Sequence, residues 1–315
     1  MIERGAAIGA RGPLPRLAQW WFAPAPAERL AALRIAIGGF ATVWTIARLP
    51  EVIAVARMPA SQLAPVGVIR VLAGPLPAIG VAAIAVATVA CLIGLTAGFR
   101  YRITAPLAAI GVLWTLSYRN SWGMVFHTEN LMVLHVVALA CAPAADAWAV
   151  GAWPPRREPP DAGYGWAIKL LAALTCATYL LAGVAKLRLA GVAWIDGGQL
   201  RNQIAIDHLR KALLGGLTAP LARPLVAHPG GLVALSLATL ALELCAPLAL
   251  LGGRTARFWA WGAWGFHLGV VLAMNVWFPY HIAWIAFLPL VAAERVVGAP
   301  MRWWRSRGIP AGSRR

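Results

Sequence analysis

Charged residues are scarce in this sequence, and acidic residues are the scarcest of them. Only 12% of the 315 residues are charged, and 28 Lys and Arg residues outnumber 11 Asp and Glu residues. Soluble domains carry about 25% charged residues, so the composition excludes an ordinary soluble domain. The formal net charge of +17 does not indicate a nucleic-acid partner, because the basic residues flank apolar blocks instead of forming one basic stripe.

Cysteine pairs and the common catalytic motifs are also missing. The four cysteines lie in separate apolar runs without C-x-x-C spacing, which excludes a disulfide framework or a zinc site of the usual pattern. His127 and His135 are too far apart for a one-turn metal pair, so we expect no metal. The sequence has no Walker loop, no His-Glu-x-x-His and no Gly-x-Ser-x-Gly, so it does not indicate nucleotide or serine-hydrolase chemistry.

Long apolar runs make up most of what remains. Hydrophobic residues account for 60% of the chain, and its mean hydropathy is +0.70. A membrane span needs roughly 17–25 mostly apolar residues, so we predict an all-α, polytopic membrane bundle of about eight transmembrane helices. The predicted spans are 30–48, 76–97, 103–118, 129–142, 166–186, 230–251, 256–274 and 282–298. Because 103–118 and 129–142 are short, six spans is the alternative.

The positions of the basic residues predict the orientation. Arginines concentrate in the "FRYR", "PPRRE" and "GGRTAR" turns and in the C-terminal tail, as the positive-inside rule requires of cytoplasmic segments. We therefore expect both termini in the cytoplasm and a multi-pass protein of the bacterial inner membrane, although the outer segment 187–229 breaks the trend. The predicted parts are a cytoplasmic or interfacial N-terminal segment (1–27), a transmembrane domain (28–298) that includes the outer amphipathic segment 187–229, and a basic cytoplasmic tail (299–315).

Lys186 ends an apolar stretch, "YLLAGVAK", at the rim of the fifth predicted span. One interpretation is structural, since a lysine at a helix end can lift its amine to the lipid headgroups. The other is a base in a partly dry pocket, where burial disfavours the charged amine so that it can accept a proton. The sequence leaves both interpretations open.

Other ionisable residues lie within or beside the predicted spans. Glu243 is near the middle of the sixth span and His267 is deep in the seventh. For each, pairing with a neighbouring helix is the structural alternative to a role at a site. His127 and His281 lie at span edges, where an interfacial position is the alternative.

Three polar, aromatic-rich stretches should converge on one side of the membrane. In the predicted orientation, 119–130, 275–281 and the Lys186 end of the fifth span all emerge on the non-cytoplasmic side. The outer segment also contains 198–214, in which leucine and isoleucine recur at near-helical spacing. We predict an amphipathic helix there, lying on the membrane surface.

Several stretches carry a family resemblance. "YLLAGVAKLRLAGVAWIDGGQL", "TLALELCAPLALLGGRTAR" and "GFHLGVVLAMNVWFPYHIAWIAF" occur in an order that resembles the vitamin K-dependent γ-carboxylase-like proteins, whose bacterial members are called HTTM (horizontally transferred transmembrane) proteins. "ERLAALRIAIGGFATVW" and "FHTENLMVLHVVALACAP" fit the same pattern. The resemblance covers roughly residues 28–290.

The resemblance implies a function for Lys186. In the carboxylases, the lysine of an Ala-Gly-x-x-Lys-Leu stretch deprotonates reduced vitamin K, and "AGVAKL" places Lys186 on that lysine. The resemblance thus implies a quinol-dependent carboxylase or oxygenase with a reduced quinone as cofactor. The carboxylases' His-Tyr-Trp-Ser stretch is matched by "ADAW" (145–148), which has no histidine. The candidate catalytic residues are Lys186, His127 and His267, and the candidate cofactor contacts are Glu243, Trp194, Tyr280 and His281.

Two other functions remain as alternatives. The same broad family includes short integral membrane proteins that are needed to mature a sporulation-delaying peptide toxin, and this chain is similar to them in size. That resemblance implies a non-catalytic or accessory factor for a separately encoded secreted peptide. Membrane lipid is expected as a partner in either case. A transporter is the third hypothesis, and the small number of intramembrane charges and the lack of a repeat count against it.

Overall fold

A computed structural model describes residues 13–150 and 160–298. Within these ranges the regular secondary structure is helical, apart from one isolated antiparallel bridge between Ala25 and Asp161. The helices are α1 (Pro13–Trp21), α2 (Ala27–Val55), α3 (Ala78–Ala97), α4 (Tyr101–Asn120), α5 (Asn130–Ala140), α6 (Ala162–Leu189), α7 (Val192–Ile195), α8 (Gly198–Leu213), α9 (Ala222–Ala227), α10 (Pro229–Leu244), α11 (Gly253–Met274) and α12 (Pro279–Ile282). Residues 1–12 and the predicted tail 299–315 lie outside the described residues, as does the 151–159 part of the "PPRRE" turn.

Three helices are long and apolar enough to cross a membrane, namely α2, α3 and α6. With a rise of about 1.5 Å per residue, the 20 residues of α3 match a hydrocarbon core about 30 Å thick. The 11 residues of α5 cover about half of that thickness. An all-helical membrane protein is thus confirmed, while the number of eight spans and the position of the termini remain predictions.

Two predicted spans are not continuous α-helices. The α-helix of the 230–251 segment ends at Leu244, and a 3₁₀ segment follows over Ala246–Leu251. Pro247 lies in that segment, and a proline cannot donate the backbone hydrogen bond that an α-helix needs. The 282–298 segment has a 3₁₀ segment at Ile285–Leu290, which contains Pro289, and a further helical turn only from 293.

The core lies between α2, α3, α4, α5 and α6, with the 3₁₀ segment Ile285–Leu290 packed against them. Its fully buried large side chains include Leu30, Leu33, Ile37, Leu92, Leu95 and Phe287. Large apolar side chains also face outward along the helices, among them Val43, Ile79, Val86, Ile110, Leu181 and Phe258. Apolar residues on both the inner and outer faces are what a helix needs when one side meets lipid.

The segment between α6 and α10 covers one end of the bundle. Ile204 of α8 is buried in a small cluster with residues of α9 and α10, whereas Leu209 and Leu213 are 58% and 76% exposed. Lys211 bonds Asp207 and the carbonyls of Met274 and Asn275, where α11 ends. A helix is present at the predicted 198–214 segment, and this contact ties it to the end of α11.

Candidate functional site

One face of α6 carries polar side chains through the apolar bundle. Thr175, Tyr179, Gly183 and Lys186 are spaced by four, four and three residues, so they lie on the same side of the helix. Thr175, Tyr179 and Gly183 are buried, and the side chain of Lys186 is 21% exposed. The apolar residues on the remaining faces keep α6 in the core, which fixes this polar face against α10 and α11.

The Lys186 amine is ion-paired with Glu243 of α10. Lys186 Nζ donates a hydrogen bond to Glu243 Oε1, and the Glu243 side chain is 3% exposed. Glycine at 183 makes this approach feasible, because a Cβ there would lie 3.0 Å from the Glu243 Cβ. Oε2 of Glu243 is buried and has no hydrogen-bond partner among the described residues.

Aromatic rings enclose the amine. Lys186 Nζ lies 4.8 Å from the centre of the Trp194 ring and 5.8 Å from that of Phe266. Such positions over the ring face attract a cation. Trp194 is 4% exposed, and its buried indole nitrogen also lacks a partner within the described part of the chain. We call Lys186, Glu243, Trp194 and Phe266 the lysine site.

A pair of histidines lies next to the lysine site. His267 follows Phe266 on α11, and its ring centre is 4.3 Å from that of His281 on α12. The hydroxyl of Tyr179 and Nε2 of His267 are 2.7 Å apart. Both histidines are buried, and Nδ1 of each has no partner in the ranges that the structure covers. The histidine pair therefore presents two unmatched polar atoms next to the lysine site.

His127 and Tyr280 are less directly involved. His127 is exposed, and its ring lies 5.7 Å from that of Phe278, which in turn contacts His267 at 4.8 Å. The Tyr280 hydroxyl is 2.7 Å from Nδ1 of His135, a buried residue. Tyr280 thus faces His135, and its ring meets that of the next residue, His281, edge-on, with 6.1 Å between the ring centres.

His135 has both ring nitrogens satisfied. Its Nε2 lies 3.1 Å from the Leu171 carbonyl and 3.3 Å from Thr175 Oγ1, in addition to the Tyr280 bond at Nδ1. Thr175 itself donates to the Ala286 carbonyl at 2.8 Å. A fully bonded histidine of this kind joins helices, as expected for a structural residue.

The sequence prediction missed Phe266, which belongs to the lysine site, and Tyr179, which contacts the histidine pair. Tyr179 lies seven residues before Lys186 on the same helix, so a count of two turns back from the lysine would have found it. Phe266 could have been noticed as the neighbour of His267. Within the described ranges, no group of three or more His, Cys, Asp or Glu residues could hold a metal ion.

Comparison with known proteins supports the family suggested by the motifs. The profile of the HTTM domain matches residues 22–293, more than four fifths of the sequence. The chain belongs to the HTTM domain family. No curated protein and no solved structure is significantly similar to it. The matched range contains the lysine site and the histidine pair, so both are part of the HTTM domain of this protein.

Proposed function

We propose that this HTTM protein is an enzyme of the bacterial inner membrane in which Lys186 removes a proton from a reduced quinone. The peptide that it modifies would be secreted and encoded separately, as the family resemblance implies. The observation that carries the proposal is the lysine site itself. A lysine that is paired with a buried carboxylate and enclosed by two aromatic rings supports a base at a site over an amine that reaches for the headgroups.

The residues present fit a quinol ring. Flat aromatic side chains such as Trp194 and Phe266 can stack on such a ring. Glu243 Oε2 and the Trp194 indole nitrogen are buried without partners in the described chain, and a ring hydroxyl can bond both kinds of atom. When bound, a reduced quinone supplies ring hydroxyl protons and two reducing electrons. Stacking at the amine requires Trp194 or Phe266 to shift, since both now cover it.

The partner of Lys186 allows it to act as a base. A proton that moves from the ammonium to the Glu243 carboxylate leaves an amine and a carboxylic acid, both uncharged. The amine lone pair could then accept a proton from a bound ring hydroxyl. The resulting ammonium and the deprotonated ring oxygen would pair with each other, so neither charge would be isolated in an apolar environment, where it would be costly. Glu243 thus serves as the group that holds the proton and orients the amine.

The test is a comparison of two conservative exchanges on α6. Purified full-length protein in nanodiscs is given a reduced naphthoquinone and oxygen, and loss of the quinol is followed by chromatography. Lys186→Arg keeps the positive charge opposite Glu243, but a guanidinium stays protonated and cannot act as a base. We expect the rate to fall about 10²–10⁴-fold. The matched control is Arg188→Lys, since Arg188 is exposed two residues further along the same helix.

A wild-type rate in a well-expressed Lys186→Arg protein would contradict the role of Lys186 as base. If the wild-type protein turns over no quinol at all, the enzyme proposal fails as a whole. The alternative would then be preferred, namely an accessory factor for peptide maturation in which the Lys186–Glu243 pair has only a structural role.

A further inference from the structure

A cavity of about 480 Å³ lies at the end of the bundle opposite Lys186. Its cationic lining residues are Arg29 of α2, Lys169 of α6, Arg257 of α11 and Arg295. Lys169 precedes Lys186 by 17 residues on α6, or about 26 Å along the helix axis. This basic cavity is therefore separate from the lysine site.

Two cations of the basic cavity, Lys169 and Arg257, form no ion pair with the residues that the structure describes. Among the residues that the structure describes, Glu294 pairs with Arg29, with two bonds of 2.9 Å. Lys169 Nζ lies 4.3 Å from the centre of the Trp20 ring, which is a cation–π contact and leaves its charge in place. Within the described ranges, the side chain of Arg257 donates to the Gly253 carbonyl, at 3.3 Å. Lys169 and Arg257 consequently leave positive charge on the wall of the cavity.

Helix dipoles add to this field. The cavity is lined by first-turn residues of three helices, since α2 begins at Ala27, α6 at Ala162 and α11 at Gly253. A helix N-terminus carries a partial positive charge and favours anions. Gly252, with φ +78° and ψ −168°, adopts a conformation that is essentially restricted to glycine, and this turn brings α11 into the cavity wall.

The remaining wall is apolar and the mouth is exposed. Ile168, Leu250, Leu290 and Val291 line the cavity beside the cations. Arg257 is exposed, and the next residue, Phe258, is 85% exposed, as expected for a lipid-facing position. A free phosphate ion would use the cations but would gain nothing from the apolar wall. A ligand with an anionic head and a hydrocarbon chain would use both.

We propose that the basic cavity binds the headgroup of an anionic phospholipid. The phosphodiester lies between the cations and the three helix N-termini, and the upper part of the acyl chains lies along the apolar wall. Basic pockets between membrane helices recognise anionic headgroups in this way. The site is independent of the chemistry at Lys186, and it would anchor α2, α6 and α11 to one another at this end of the bundle.

The test is binding of short-chain lipids to the purified full-length protein in detergent. Dioctanoyl phosphatidylglycerol is titrated against dioctanoyl phosphatidylcholine, which has the phosphate but no net charge, and against glycerol 3-phosphate, which has no chains. We expect phosphatidylglycerol to bind at least tenfold more tightly than either. Removing one cation should weaken its binding about fivefold, as expected for a cation worth about 1 kcal/mol near an anionic headgroup.

The variants are Arg257→Gln, Lys169→Gln and their combination, with a loss of about 25-fold expected for the pair. Arg102→Gln is the matched control, because Arg102 is an exposed cation in the first turn of α4 and does not line the cavity. If the double variant does not stay monodisperse, Arg257→Gln alone carries the test, since its side chain is exposed.

Three outcomes would overturn the proposal. Phosphatidylcholine could bind as tightly as phosphatidylglycerol, or the cavity variants could bind phosphatidylglycerol no more weakly than the control. Equal binding of glycerol 3-phosphate, with the same dependence on Lys169 and Arg257, would make this a site for a soluble phosphate compound and not for a lipid.

Discussion

Glu243 accepts a hydrogen bond from Lys186 on one carboxylate oxygen, while its other oxygen is buried without a partner in the described residues. The pair joins the end of α6 to the last turn of α10. It places an ion pair next to the ring of Trp194. A half-satisfied carboxylate in such a position is costly for folding, and a bound ligand would supply the missing partner.

Glu243→Gln is expected to destabilise the protein, since Lys186 loses its counter-ion. Removing one partner of a buried pair costs about 3–5 kcal/mol when the other charge stays buried. The Lys186 side chain is 21% exposed and can turn toward the membrane surface, so we expect about 1–3 kcal/mol. The measurement is the apparent melting temperature in detergent, at one scan rate because membrane proteins often unfold irreversibly.

The double variant Lys186→Gln/Glu243→Gln is the control for the Glu243 prediction. The double variant has no lysine ammonium at this position, so no positive charge is left without a counter-ion. Its melting temperature should therefore be higher than that of Glu243→Gln. A double variant that melts lower than the single one would show that the two side chains do not depend on each other.

Tyr179→Phe should weaken the histidine pair and leave the packing of α6 in place. The ring of Tyr179 contacts Trp259 at 4.9 Å, and a phenylalanine keeps that contact. Only the hydroxyl bond to His267 is lost, at a cost of about 1 kcal/mol. If the pair takes part in the proposed reaction, the rate of quinol loss should fall well beyond what this stability change explains.

Tyr101→Phe is the matched control for Tyr179→Phe. The Tyr101 hydroxyl donates to the Leu139 carbonyl at 2.6 Å, on α4 and α5, away from the lysine site. Tyr101→Phe should lower the melting temperature by about as much as Tyr179→Phe, without changing the rate of quinol loss. Equal rates for the two variants would remove the histidine pair from the reaction.

The sequence was a good guide to the helices and a partial guide to the site. The apolar runs predicted a helical membrane protein because lipid forces every backbone bond to close within the segment. The site candidates Lys186, Glu243 and Trp194 do meet in space. His127 does not join them, because its side chain is exposed and its ring contacts Phe278. The sequence could not show this, since a position at a span edge does not indicate which way a side chain faces.

The packing of helix against helix could not be read from the chain. Arg34 is fully buried near the start of α2, and it was not singled out from the sequence. Arg119 was assigned to an outer loop, and it forms a buried ion pair with Glu129 at 2.9 Å. Both depend on which helices become neighbours, and a pattern of apolar periodicity does not specify neighbours.

Arg34→Met is expected to be strongly destabilising. The guanidinium donates to the carbonyls of Ala144, Ala147 and Trp148 at 2.9, 3.3 and 2.6 Å, and so holds the loop after α5 against α2. A methionine fills part of the volume and leaves these carbonyls without donors, each at a cost of about 1–3 kcal/mol. We expect little monodisperse protein after extraction. Arg34→Lys keeps the charge and should recover part of the yield, while a wild-type yield for Arg34→Met would contradict the anchoring role.

The two ends of α6 should face opposite sides of the membrane, and this can be measured directly. α6 has 28 residues and is about 42 Å long, which exceeds the hydrocarbon thickness of about 30 Å. The arginines near the basic cavity predict that this end is cytoplasmic, so the lysine site would open to the outside. An alkaline-phosphatase fusion after Gly215, in the exposed turn after α8, should be active. A fusion after Gly98, between α3 and α4, should be inactive at matched expression. The reverse result would place the lysine site on the cytoplasmic side, where the proposed enzyme could not modify a secreted peptide after its export.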